Sequence, residues 1–268
     1  MKDDISDIVE MYDRDPEGEH DRLAQHQLEF DLTMKALAQY LPGKGSILEI
    51  GAASGRYTVA LVRLGYQVTA VDLSEALAEK WWENFKEPGL EQRVRHVISD
   101  ARDLGELGEE EFDAVLMMGP LYHLVEESDR KLAIQEAYDR LRKGGVFVSA
   151  FISRLGILGD LLKNVPEWIE QEEEVRSVIE RGRDPEDYPR GGFRGYFARV
   201  SEIAPLHESI GLETLAVMGI EPAISADDES YNNLQGKQRQ MWLDLLYEVR
   251  EEASIVGASR HLLYVGRK

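Results

Sequence analysis

Two carboxylates set about a turn of small residues are the part of this sequence best suited to chemistry. Residues 46–58 read Ser-Ile-Leu-Glu-Ile-Gly-Ala-Ala-Ser-Gly-Arg-Tyr-Thr, and the next apolar run ends at Asp72. A turn without side-chain bulk, Gly51 to Gly55, lets a ligand approach the backbone. A carboxylate about 20 residues further on can accept both hydroxyls of a ribose. Together they imply a nucleoside-bearing cofactor. The dinucleotide fingerprint G-x-G-x-x-G is not met, because Gly51-Ala52-Ala53-Ser54-Gly55 lacks the middle glycine that admits a pyrophosphate. Glu49, two residues before Gly51, would repel a pyrophosphate and suits a ligand with a cationic ammonium or sulfonium end.

Residues of this kind need a strand–turn–helix–strand frame, and the hydrophobic periodicity supplies one. Ile47, Leu48 and Ile50 make a short buried strand, Tyr57 to Leu64 opens a helix, and Val68 to Val71 carries Asp72 at its C-terminal tip. Strands over 46–50, 67–71, 93–98, 112–118 and 146–152 alternate with helices over 56–64, 74–86 and 127–142. Helix 200–210, strand 212–220, helix 234–252 and strand 260–266 complete the series. Such alternation predicts an α/β fold with right-handed crossovers and a parallel sheet covered on both faces.

Before this series, residues 1–19 read as acidic and turn-prone, with Tyr12 the one aromatic. Leu23, Phe30, Met34, Leu37 and Leu41 then recur at helical spacing up to Pro42-Gly43. Residues 153–198 break the alternation. They predict helices over 156–164 and 167–181 and no strand, followed by the Gly-rich, aromatic run Pro189-Arg190-Gly191-Gly192-Phe193-Arg194-Gly195-Tyr196-Phe197.

Composition narrows the function classes. A formal net charge of -20 over 268 residues repels phosphate backbones and anionic membranes, so neither nucleic acid nor membrane is expected as a partner. With no cysteine there is no disulfide, thiolate nucleophile or Cys-ligated zinc. No His pair has the spacing of a helical metal site, so no metal is expected. The acidic start lacks an apolar signal core and no run is long enough to span a bilayer, which makes the cytoplasm the expected compartment.

Glu49-Ile50-Gly51-Ala52-Ala53-Ser54-Gly55 resembles motif I of the class I S-adenosylmethionine-dependent methyltransferases. Further stations follow in that family's order: Val71-Asp72-Leu73-Ser74, Ser99-Asp100-Ala101, Phe112 to Met118, Leu141 to Val146, and Ser259 to Val265. Gly55-Arg56-Tyr57-Thr58 with Met118-Gly119-Pro120-Leu121-Tyr122-His123-Leu124 is similar to one bacterial group of the small-molecule type. The resemblance covers roughly residues 20–153 and 200–268.

It implies a Rossmann-like, doubly wound, mostly parallel seven-stranded sheet with an antiparallel last strand and a helical insert or cap. The implied division is a cofactor-binding core with an N-terminal helical lid over 1–152, an insert over 153–199, and completion of the sheet over 200–268. The implied reaction is methyl transfer from S-adenosylmethionine to a small molecule, leaving S-adenosylhomocysteine. Alternatives are a non-catalytic S-adenosylmethionine-binding protein and a protein methyltransferase, since an acidic surface could receive a basic partner.

By the same resemblance, Asp72 and Leu73 form the ribose station, while Asp100 and the Ala101 amide form the adenine station. Gly51, Ala52, Ala53 and Gly55 are close-approach positions. Ala53 stands where many members have glycine, which an alanine meets if its φ stays negative. Glu49 either contacts the cofactor, directly or through water, or bonds loop amides. Met117 and Met118 offer backbone carbonyls to the cofactor ammonium, their side chains being core. Arg56 either pairs with the cofactor carboxylate or is a solvated first-turn residue. Tyr12 belongs to a segment that folds over the cofactor in this family.

For catalysis, positioning and exclusion of water suffice unless the acceptor must lose a proton. His123, after the fourth strand, is then the candidate base, or else a packed or capping histidine. His20, His26 and His207 read as helix-surface or helix-start residues. Phe193, Tyr196 and Phe197 either line an acceptor pocket or anchor the insert to the core.

Overall fold

The computed structural model of the chain describes residues 2–84, 89–185, 194–223 and 228–268, with the backbone alone over 80–84. Three helices come first: α1 (Ser6–Arg14), α2 (Pro16–Gln25) and α3 (Gln27–Tyr40). The alternating series then runs β1 (Ser46–Ile50), α4 (Arg56–Arg63), β2 (Gln67–Asp72), α5 (Glu75–Asn84), β3 (Val94–Ile98), β4 (Phe112–Met117), α6 (Pro120–His123), α7 (Glu127–Asp139) and β5 (Leu141–Ser153). After it come α8 (Leu158–Asn164), α9 (Glu172–Arg181), β6 (Phe197–Ala198), α10 (Val200–Glu208), β7 (Glu213–Gly219), α11 (Asp228–Asn232), α12 (Gly236–Glu248), α13 (Ala253–Ala258) and β8 (His261–Arg267).

The main sheet has the order β3-β2-β1-β4-β5-β8-β7, with β6 paired to β5 off this path. Strands β1 to β5 pair in parallel, and β8 is antiparallel to both β5 and β7. The expected seven-stranded path with an antiparallel last strand is therefore present, with the two-residue β6 added. Successive strand residues feed opposite layers, as a sheet covered on both faces requires. Leu48, Val115 and Met117 pack with Ala133, Ile134 and Leu206 on one side. Ile47, Ala114 and Leu116 pack with Leu32, Leu61 and Tyr247 on the other. Chain order reverses between β1 and β4, so a crevice opens at their C-terminal ends.

Four expectations are corrected. Within the turn-prone 1–19, residues 6–14 and 16–19 are helical, in α1 and the start of α2. Asp15 caps α2 by accepting from the Gly18 N–H at 2.9 Å, and Pro16 starts it. The helix expected over 127–142 stops at Asp139, because β5 already begins at Leu141. Its partner register advances from Leu141 to Val146 while β4 advances only from Phe112 to Ala114, so Gly144, at φ +80°, lies in a bulge. Within 153–198 the short β6 pairs with Ile152 and Ser153. The helix expected over 167–181 is split into a short turn at Pro166–Glu170 and α9.

Candidate active site

The turn after β1 is built by the neighbouring strand. The Gly51 and Ala52 N–H groups donate to the Val71 carbonyl at 2.8 and 3.1 Å, which bends the chain out of the sheet. Gly51 takes φ +79°, and a Cβ there would stand 2.6 Å from the Pro120 ring. Both the backbone angle and the close approach of β4's exit therefore demand glycine. Ala53 has φ +47°, contrary to the expected negative value. Its N–H donates to Asp72 Oδ2 at 2.7 Å, and that bond holds the left-handed geometry against its steric cost.

Asp72 ties the two ends of the site together. Its other oxygen accepts the Ser74 N–H at 3.0 Å. Each oxygen thus keeps a lone pair, which fits the two hydroxyls of a ribose. Burial raises the Asp72 pKa, against the lowering effect of the Ser74, Ala53 and Leu73 amides.

Asp72 lies on the wall of a cleft, together with Gly51, Ala52, Ala53, Leu73 and Arg56. Asp100, Ala101, Met118, Tyr12 and His123 border the same cleft. Asp100 is gripped by Arg102, whose Nη2 donates to Oδ2 at 2.7 Å. Burial opposes ionisation of Asp100, yet Arg102 holds its pKa below the ordinary value. Arg56 bonds the His26 carbonyl at 3.2 Å and lies over the Phe30 ring, joining α4 to α3. Burial lowers its pKa.

Three candidates are absent from the wall or turned from it. Met117 has its side chain in the core, fully buried. Gly55 caps α4 at φ +79° and is likewise not a wall residue. Glu49 lies beneath the turn, fully buried, with Oε2 accepting from the Thr58 hydroxyl at 2.6 Å. Its Oε1 has no partner among the described residues. Burial pushes its pKa up to about 8, so at neutral pH it is mainly the uncharged acid.

His123 Nε2 lies 2.7 Å from the Tyr12 hydroxyl, and Nδ1 lies 3.4 Å from the Arg194 carbonyl. A carbonyl only accepts, so Nδ1 carries the proton and Nε2 accepts from Tyr12. Burial pushes the His123 pKa down to about 4 and raises that of Tyr12. Both are neutral at physiological pH.

Of the segment aromatics, Phe193 lies outside the described residues. Tyr196 sits under the Arg130 guanidinium, 3.4 Å from its ring centre, and its N–H donates to the Tyr122 carbonyl at 2.7 Å. Phe197 packs with Ile152 and Val178. Both anchor the insert, and neither borders the cleft. His207 is not a surface residue: it is buried and stacked 3.7 Å from the Tyr264 ring. His26 precedes α3 and bonds Glu221 at 3.1 Å and Asp228 at 3.2 Å.

The cleft also has wall residues that the sequence reading passed over. Ile5, Ile8 and Val9 of the first helical segment face it together with Tyr12, and Glu19 and Arg22 follow from α2. The spacing i, i+3, i+4, i+7 of Ile5, Ile8, Val9 and Tyr12 is the signal that identifies this helical face.

Residues 48–149 match the family model described as a methyltransferase domain. Those residues carry a methyltransferase domain, in a fold shared with solved S-adenosylmethionine-dependent methyltransferases. The likeness to curated relatives is modest. A glycine/sarcosine N-methyltransferase of Aphanothece halophytica is 29% identical over 126 residues, covering 47% of this chain and 46% of that protein. A tRNA 5-carboxymethoxyuridine methyltransferase of Escherichia coli is 27% identical over 157 residues, covering 58% of each. The chain thus spans about half the length of the curated relatives it matches. In fold, a methyltransferase structure from Thermotoga maritima described as a possible histamine N-methyltransferase has a TM-score of 0.59 at 19% identity, covering 97% of this chain and 99% of that one. The matched residues contain most of β1, all of β2 to β4 and most of β5, and so carry Asp72 and Asp100.

Proposed function

We propose that this chain transfers a methyl group from S-adenosylmethionine to a small molecule. The observation that carries the reading is the shared cleft: Asp72, Asp100 and the Gly51–Ala53 turn border one space at the crevice between β1 and β4. S-adenosylmethionine supplies an electrophilic methyl carbon on a positive sulfur. In this reading Asp72 and Leu73 hold the ribose and Asp100 and Ala101 the adenine. The turn, with the Met117–Met118 backbone and Arg56, takes the amino-acid end. Glu49 supports the turn from below. Residues 1–25 act as a lid on the core, 153–199 as a cap, and 200–268 complete the sheet.

The chain's own contribution to rate is orientation and exclusion of water. For an acceptor that must lose a proton, His123 is the base, reached through the Tyr12 hydroxyl. A neutral imidazole is ready to accept, and its titration would not reduce the rate until pH approaches 4. The charge of -20 favours a small acceptor over nucleic acid, and the reaction is assigned to the cytoplasm.

Calorimetry of the intact chain with S-adenosylhomocysteine tests the cleft. Asp72→Ala is expected to weaken binding by about 1–3 kcal/mol through lost charge-assisted hydrogen bonds. No binding by the intact protein, or an unchanged affinity in the variant, would overturn the assignment.

A further inference from the structure

The Gly-rich segment before β6 leaves one residue whose contacts the cofactor reading does not use. Arg194 is buried, and its guanidinium points to α1 and the residues leading into it. Nη1 donates to Asp3 Oδ2 at 2.6 Å, and Nη2 donates to the Asp4 carbonyl at 2.8 Å and to Asp7 Oδ1 at 2.9 Å. The same residue's carbonyl faces His123 Nδ1. Arg194 therefore touches the lid with its side chain and the candidate base with its backbone. On the far side of that base stands Tyr12, which α1 itself carries.

We propose that Arg194 is a positioning residue that clasps α1 shut over the cleft, so that the segment after β5 sets how long a nucleoside ligand stays bound. The proposal rests on the cleft being the nucleoside site. Three features support a clasp rather than an incidental ion pair. The bonds to Asp3 and Asp7 are charge-assisted and largely shielded from water, the setting in which an arginine–carboxylate contact is strong and directional. They join segments 187 to 191 residues apart in sequence, so they form only when the lid is in place. The clasped helix presents Ile5, Ile8, Val9 and Tyr12 to the cleft, so loosening it uncovers the ligand directly.

A second arginine limits the size of the effect. Arg102 Nη1 donates to the Asp3 carbonyl at 2.8 Å and to Asp129 at 2.5 Å, and the Asp3 N–H donates to Asp129 at 2.9 Å. Loss of Arg194 thus loosens the helix, which stays tethered at its leading end and, through Ser74 to Asp13 at 2.5 Å, at its far end. The expected result is faster opening of a folded protein.

The test uses the full chain, with Arg194→Ala, Arg194→Lys and Asp7→Asn. Stopped-flow release of S-adenosylhomocysteine should be at least tenfold faster in Arg194→Ala, with the association rate within threefold of the parent. Arg194→Lys and Asp7→Asn should fall between, because each keeps part of the clasp. Hydrogen exchange without ligand should be at least tenfold faster across 5–14 in Arg194→Ala, while β1 and β4 keep their protection. Release within twofold of the parent, or unchanged exchange across 5–14, would overturn the clasp. If Arg194→Ala does not fold, the same two measurements on Asp7→Asn decide. Failure of the parent to bind S-adenosylhomocysteine would instead remove the cleft reading, and the exchange measurement would still judge the clasp.

Discussion

Replacing Glu49 with glutamine should make the chain more tolerant of alkaline pH. The Glu49 carboxyl is fully buried, has one hydrogen-bond donor in Thr58, and lacks a partner for Oε1 among the described residues. Burial raises its pKa from 4.5 to about 8 in the folded chain, with the nearby Asp72 charge adding to the shift. A raised folded pKa means that the folded state binds the proton more tightly than the unfolded state. The carboxyl therefore costs nothing relative to a neutral isostere below pH 4.5, and its cost grows as pH rises toward 8. The full shift of 3.5 units (8 minus 4.5) corresponds to about 5 kcal/mol at roughly 1.4 kcal/mol per unit. Between pH 5 and pH 8 the parent should lose about 3 kcal/mol against Glu49→Gln. The glutamine NH2 brings its own desolvation cost of about 1–3 kcal/mol, but that offset does not vary with pH. Urea unfolding of both proteins at pH 5, 6, 7 and 8 reads the difference directly. Parallel stability curves would refute the reasoning, since they would mean that Glu49 is ionised in the fold.

Gly51→Ala should unfold the site or abolish S-adenosylhomocysteine binding, because a Cβ at φ +79° would stand 2.6 Å from Pro120; calorimetry and circular dichroism report it. Ala53→Gly should raise stability by about 0.5–1 kcal/mol by relieving a left-handed φ of +47°, and an unchanged or lower denaturation midpoint would contradict this. His26, held by Asp228 and Glu221, has a pKa raised from 6.5 to about 10. Its stabilisation is present in full below pH 6.5 and is lost as pH rises through 10. Allowing for its partial exposure to solvent, His26→Gln should cost about 1–2 kcal/mol at pH 6–7, with the gap to the parent closing toward pH 10 in urea unfolding.

The parts of the fold legible in the sequence are those where one local rule decides. Ile47, Leu48 and Ile50 are buried whichever way they point, because the sheet is covered on both faces, so an apolar run beside a glycine turn suffices to place β1. Asp72 is legible for a similar reason: the strand that ends there also receives the Gly51 and Ala52 amides, which fixes its carboxylate beside the turn. Ala53 is the instructive miss. A negative φ was expected from alanine's own preference, but the Asp72 carboxylate holds its N–H and the tertiary bond prevails. Before β5, the Lys143-Gly144-Gly145 stop places the helix end at 142, whereas pairing with Phe112 carries the strand back to Leu141.

The charge pattern was the least legible layer, and it bears most on the site. Asp3, Asp4 and Asp7 read only as part of an acidic, turn-prone start, and such residues are mostly exposed. In the fold two of their carboxylates and one backbone carbonyl surround Arg194, which lies almost 190 residues away. No window of sequence contains both partners, and their types alone say only that charges are present. Moreover, a buried arginine left unpaired carries a heavy desolvation cost, so Arg194 and the acidic start must be ordered together. The amphipathic face of α1 and its acidic edge thus act in concert. Ile5, Ile8, Val9 and Tyr12 cover the cleft while Asp3 and Asp7 hold that cover to the segment after β5. If the clasp proposed for Arg194 holds, closure of the cleft depends on two distant segments of the chain and should respond to substitution in either.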